Sequence, residues 1–188
     1  MSLNAQSLNL LMNPKLEVKY LRLEQSRNRL LDELAGLSDE QLNTYPAAGK
    51  WSINQHVAHL VLVEERALSS IKQQLQQQDT LLDIDFSTSV KALLVKLALH
   101  SGRKYKAPAA VANVPDQAAL PELRQQWDKL RFELEDELTS FPHHLLEKGV
   151  LNHPMVGCLS INQALSFLQD HFEHHRQIML RQKEALIS

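Results

Sequence analysis

Asp170-His171-Phe172-Glu173-His174-His175 lies in a long periodic segment opened by Ser160-Ile161-Asn162-Gln163, and it carries two histidines on an apolar helical face. A helix turns about 100° per residue, so Ala164, Leu168, His171, His175 and Met179 fall within one arc of roughly 80°. That arc predicts a core-facing side. Asp170, Glu173 and Gln177 fall opposite, as a solvated face does, which makes the carboxylates poor candidates for ligands beside the histidines. Residues at i and i+4 have Cβ atoms about 6 Å apart, so two imidazoles can grip one metal ion from ordinary rotamers. Two buried neutral imidazoles also bring four ring nitrogens that need partners, and a metal satisfies that need. Water, carbonyls or the rings themselves could do the same at the mouth of a bundle. The spacing leaves both readings open, because HxxxH is short and nine histidines make chance pairs easy.

Working back from this helix, three further periodic segments appear. Pro14 opens the first, with Leu16, Tyr20, Leu23, Leu30, Leu31 and Leu34 at helical spacing and Gly36 as its stop. Ser38-Asp39-Glu40-Gln41 has capping-box form and predicts a short helix, followed by a loop at 46–50. Ser52-Ile53-Asn54-Gln55 opens the second long helix, expected to run to about Gln78, with Ile53, Val57, Leu60, Val61, Leu68, Ile71 and Leu75 in its apolar arc. Glu64 falls inside that arc, where a charge is costly without a partner; a helix end that reaches water is the favoured explanation, with an ion pair or a role behind a ligand of the site as the others. A shorter helix is expected over 87–100 with Gly102 as its stop, then an extended crossover over 104–116 containing Pro108 and Pro115. The third long helix begins near Pro121 and carries Leu123, Trp127, Leu130, Leu134 and Leu138 to Phe141-Pro142. Residues 142–159 read as irregular. The repeated Ser-Ile-Asn-Gln reflects convergent capping, since the helices do not align beyond it. The fold class that follows is all-α: an antiparallel four-helix bundle with one short extra helix and a long crossover.

Composition agrees. The chain has 188 residues with 44% hydrophobic content and only five glycines, enough for one domain over 1–188 with a continuous core, residues 1–13 being expected to fray. The net charge is −2 and the basic residues are scattered, so no nucleic acid or anionic membrane partner is expected; Arg103-Lys104-Tyr105-Lys106 reads as a solvated loop. Cys158 is the single cysteine, which excludes an intramolecular disulfide and a Cys-rich zinc site and fits a reducing cytosol. No signal peptide is expected, and no apolar run approaches the roughly 20 residues needed to span a bilayer. The expectation is a cytoplasmic protein.

Two segments then resemble one family. Gly49-Lys50-Trp51-Ser52-Ile53-Asn54-Gln55-His56-Val57-Ala58-His59-Leu60 resembles the Trp-Ser-x-x-Glu/Gln-x-x-x-His-Leu signature of the DinB-like metal-dependent four-helix bundles. His153-Pro154-x-x-Gly157-x-Leu159-Ser160, followed by His171, His174, His175, Gln177 and Ile178, resembles the C-terminal signature of the same superfamily, and the crossover is similar too. The resemblance covers about Leu16 to Gln182. It implies a divalent metal held by one histidine of the second helix and the pair of the last, which in this sequence are His59, His171 and His175. It also implies a homodimer, and the relatives include thiol-dependent transferases and isomerases that use bacillithiol, mycothiol or glutathione. On the helical wheel, however, His59 lies well over 90° from the centre of its apolar arc, and His56 lies nearer the edge. Spacing favours His56 and the Trp51 register favours His59, so His56 stays open as the third ligand.

Three neutral imidazoles with an open position suit a catalytic site, and nitrogen donors suit Zn²⁺, the expected ion, or Ni²⁺. Such an ion can hold a thiol as thiolate or acidify a water. The first reading is therefore a thiol S-transferase acting on a small electrophile. A non-catalytic metal- or small-molecule-binding bundle, a stress-associated one included, is the alternative, with a metal-dependent hydrolase third. A di-iron bundle needs Glu-x-x-His pairs, which are absent, and the order His-Phe-Glu-His-His does not match a zinc protease. No catalytic residue is assigned. His143, His144 and His153 read mainly as loop histidines near the mouth, and Trp51 and Trp127 as core anchors.

Overall fold

A computed structural model of the protein describes residues 11–84, 112–153 and 156–187. The helix expected over 87–100, its stop Gly102, the basic run Arg103 to Lys106, most of the expected crossover, the first ten residues and Pro154 lie outside them.

Helix α1, Pro14–Leu34, begins where the Asn13 side chain accepts the Lys15 N–H and Pro14 occupies a position that needs no donor. Its buried residues Leu16, Tyr20, Leu23, Arg27, Leu30, Leu31 and Leu34 step by threes and fours along one face. Helix α2, Asp39–Asn43, is a single turn closed by the Ser38–Gln41 capping box. Helix α3, Ile53–Leu75, opens on the same device built from Ser52 and Gln55, and stops three residues before the expected Gln78, which starts a 3-10 turn. Helix α4 is Leu120–Thr139 and helix α5 is Ile161–Ile187. Ser160 and Gln163 exchange hydrogen bonds at the start of α5 (3.1 and 3.2 Å), so both Ser-Ile-Asn-Gln runs are capping boxes.

Helix α1 packs on α5 and α4, and α3 packs on α4 and α5, so that each of these four long helices buries its apolar stripe against two others. One hydrophobic core runs through them, with Leu23, Leu30, Ile53, Trp127 and Phe172 fully enclosed. Ala118 ties the entry to α4 onto this core: its carbonyl accepts from Asn43 and Asn54 (3.0 and 2.6 Å) and its N–H donates to Asn43. Among the described residues no helix is long and apolar enough to cross a membrane.

Two expectations are corrected. Residues 142–159 are not irregular: strands β1, Gly149–His153, and β2, Gly157–Ser160, pair antiparallel with Leu151 opposite Leu159 and His153 opposite Gly157, so the protein is mostly helical with a small sheet. The pairing shifts between Gly149 and Leu151, which leaves Val150 and Leu151 both buried and erases the alternation by which a strand is recognised. Gly149 is required there, because a Cβ would collide with Cys158 Sγ across the pair. Cys158 thus sits in β2. Glu64 is the second correction. No helix end brings it to water; it is 4% exposed, accepts the Trp127 Nε1–H at 2.9 Å and pairs with Arg131 Nη2 at 2.7 Å.

Candidate metal centre

The histidines meet where the first turns of α3 face the middle of α5. Residues 53–61 of α3 are buried all the way round, because α4, α5, β1 and α2 each cover a side. A helix enclosed in this way has no solvent face to assign, and His56 and His59 are both interior, at 7% and 2% exposure. The capping box sets their height: Ser52 and Gln55 lock the first turn, and the His56 N–H closes on the Ser52 carbonyl at 3.1 Å.

On α5 the buried set is Ile161, Ala164, Leu165, Leu168, Phe172, His175 and Met179. Leu165 and Phe172 widen the expected arc to about 120° and move its centre, so His175 lies within it and His171 at one edge, partly exposed. Of the residues expected on the solvated side, Gln177 is exposed, while Asp170 and Glu173 are half-buried and Glu173 pairs with Arg176. Helix α1 covers that side as well, through Arg176–Glu33 at 2.5 Å, Gln169–Ser26 at 3.0 Å and Lys19 to the Asn162 carbonyl at 2.9 Å.

Ring nitrogens of His59, His171 and His175 lie within 4.8 Å of one another. The His59 and His171 Nε2 atoms are 3.3 Å apart. Tetrahedral coordination at zinc–nitrogen distances of 2.0–2.1 Å separates two ligand nitrogens by about 3.3–3.4 Å, so this spacing fits a shared ion. His56 joins the cluster differently, with its Nδ1 2.9 Å from His175 Nδ1. Burial is the leading cause that pushes these rings down, with neighbouring histidines next: His56 falls to about 4, His171 to about 3, and His175 far below the usual imidazole range. The rings of His56, His171 and His175 are therefore neutral at physiological pH and offer lone pairs. This donor set could hold a metal ion.

Trp51, expected as a core anchor, is only half-buried and covers the cluster, its ring centroid 5.0 Å from that of His59, 5.5 Å from His56 and 6.5 Å from His175. Gln182 of α5 holds its backbone carbonyl at 3.1 Å. Trp127 does anchor the core, against Phe172. His153 of β1 stands edge-on to Phe167 at 4.5 Å, and Phe167 stacks on His171 at 5.6 Å, so the hairpin reaches the centre at one remove. The Val156 N–H donates to His153 Nδ1 at 3.3 Å, and burial lowers the His153 pKa. His143 and His144 are exposed on a 3-10 turn. Sequence reasoning did not anticipate the Phe167 contact; its position four residues before His171 was the available signal.

The chain is similar to known proteins. YuaE of Bacillus subtilis (strain 168), described as an uncharacterized protein, is 26% identical over 162 residues, which cover 86% of this chain and 95% of that one. A family model described as the DinB superfamily matches residues 22–179, a span that contains α3, the hairpin and all four clustered histidines, and the chain therefore belongs to the DinB superfamily.

Proposed function

We propose that the protein is a metal-dependent enzyme, a thiol S-transferase whose divalent ion is held by His59, His171 and His175. The observation that carries this reading is the convergence of three ring nitrogens within 4.8 Å, one of them on a partly exposed residue. Zinc is the ion we favour, nickel the second choice. When bound, such an ion supplies the charge that keeps a thiol as thiolate near neutral pH. The chain's own part is to fix three donors, to exclude water from one side with the Trp51 ring, and to leave the His171–Phe167 side for substrates. In the transfer, the thiolate sulfur forms a bond to an electrophilic carbon as the bond from that carbon to its leaving group breaks. The leaving group carries off the electron pair, and the thiol proton goes to solvent. A protein thiol does not replace the small one, because burial pushes the Cys158 thiol up.

The reading includes a four-helix bundle of the DinB type as one domain over 1–188, a cytoplasmic setting and a homodimer. The test is zinc and nickel content by mass spectrometry, then conjugation of glutathione, bacillithiol or mycothiol to a chlorobimane. Metal-dependent turnover that is lost in His175→Ala supports the transferase. A loaded protein that turns over none of these thiols makes it a binding module, or a hydrolase to be assayed with esters and amides.

A further inference from the structure

His56 lies outside the three-nitrogen set, yet it is in hydrogen-bond contact with His175. The Nδ1 atoms of the two rings are 2.9 Å apart. That distance is shorter than the roughly 3.3–3.4 Å edge of a tetrahedral nitrogen site and matches an N–H···N hydrogen bond. One proton must lie between the two atoms, because two lone pairs at this distance repel and two N–H groups collide. A neutral imidazole that donates through Nδ1 carries its lone pair on Nε2. His175 can therefore present Nε2 as a ligand only if it is the donor and His56 the acceptor.

We propose that His56 is a positioning residue: its Nδ1 accepts the Nδ1–H of His175 and holds that ring in the tautomer whose Nε2 faces the ion. This rests on the metal reading above. The device is a neutral counterpart of the carboxylate that commonly orients a ligating histidine. The capping box supports it, because His56 occupies the first turn that Ser52 and Gln55 lock, and the edge of the Trp51 ring holds the imidazole at 5.5 Å.

The experiment uses the full chain as wild type, His56→Leu, His56→Asn and His59→Ala. Zinc affinity is read by competition with a chromophoric chelator, and histidine ring nitrogens by NMR of the ¹⁵N-labelled, zinc-loaded wild type. Leucine removes the acceptor and keeps bulk, and should weaken zinc binding about 10- to 100-fold. Asparagine places an amide oxygen near the Nδ1 position and should recover most of that loss. In the loaded wild type, His175 should show a protonated Nδ1 and a coordinated Nε2. Wild-type affinity in His56→Leu, equal weakness in His56→Asn, or coordination through His175 Nδ1 overturns the proposal, and so does a His59→Ala protein that binds zinc as well as wild type while His56→Leu does not. If His56→Leu fails to fold, the asparagine variant and the NMR assignment decide. A wild type that takes up no zinc overturns the metal reading itself, whereas a loaded wild type beside an unaffected His56→Leu overturns only the role of His56.

Discussion

Helix α3 buries two polar clusters, one around His56 and His59 and one around Glu64, centred about 10 Å apart along its axis, and they solve the cost of burial in opposite ways. Around Glu64 every charge meets its opposite. Arg131 reaches Glu64 at 2.7 Å and Glu24 at 3.6 Å, while Arg27 reaches Glu24 at 2.9 Å and Asp128 at 3.0 Å. Tyr20 closes the edge on Glu135 and the Arg131 carbonyl, and burial raises its pKa. Around His56 and His59 the rings meet other rings, those of His175, His171 and Trp51. The first cluster joins α1, α3 and α4 by ion pairs, with Glu24 Oε1 and the Nε atoms of Arg27 and Arg131 left outside its hydrogen bonds; the second joins α3 and α5 and brings three ring nitrogens within 4.8 Å of one another. A charge network fixes packing, and a nitrogen cluster is suited to taking up a cation.

The comparison breaks most severely at Glu64. Glu64→Ala leaves Arg131 buried without its nearest carboxylate and the Trp127 N–H without an acceptor, and should cost about 3–5 kcal/mol in urea unfolding. Zinc uptake by the variant while folded should stay near that of wild type. A Glu64→Ala protein that is stable but unable to hold zinc would show that the two clusters act as one.

Next in size is the ion. With zinc at about 100-fold above its dissociation constant, binding should add about 2.7 kcal/mol, and chelation should lower Tm while far-UV circular dichroism stays helical. Loss of helical signal on chelation at room temperature would make the histidine cluster as structural as the charge network.

Acid should separate the clusters in the metal-free protein. The folded-state pKa values of His56 and His171 lie below the unfolded value near 6.5, so between pH 6.5 and those values the unfolded chain binds protons that the folded chain refuses. Stability is therefore full above pH 6.5 and falls as pH drops, by about 2 kcal/mol for each of these histidines by pH 5. Replacing His171 with Ala should flatten this slope, as measured by urea melts across the range. An unchanged slope would place the acid response in the charge network.

The smallest contrast is between the two capping boxes. Ser52→Ala and Ser160→Ala should each cost about 1 kcal/mol. Only Ser52→Ala should also weaken zinc affinity, because Ser52 sets the turn that carries His56, whereas Ser160 lies eleven residues before His171. Equal effects on zinc would remove the special place given to the first turn of α3.

Most of the helical architecture was legible because apolar residues three and four apart, bounded by Ser/Gln boxes and by Pro or Gly, specify helix position and face with local information alone. His171 and His175 belong to that class, since i,i+4 on one helix is a local relation. The hairpin was not legible: Val150 and Leu151 are both buried beside an irregularity in the pairing, so the period of two is missing. Glu64 was misjudged for a related reason, as its partners Trp127 and Arg131 are more than 60 residues away.

What the sequence determined by itself, then, was the set of long helices, their caps and the pairing of two histidines on the last one, all consequences of backbone geometry over a few turns. Tertiary structure decided how His56 and His59 differ. The helical wheel ranks residues by one buried side, and the first turns of α3 have none to rank, because α2, α4, α5 and β1 close around them. Only the direction from which α5 approaches sends the His59 Nε2 toward His171 and the His56 Nδ1 toward His175, and that direction is set by the summed packing of the core, which no local spacing encodes.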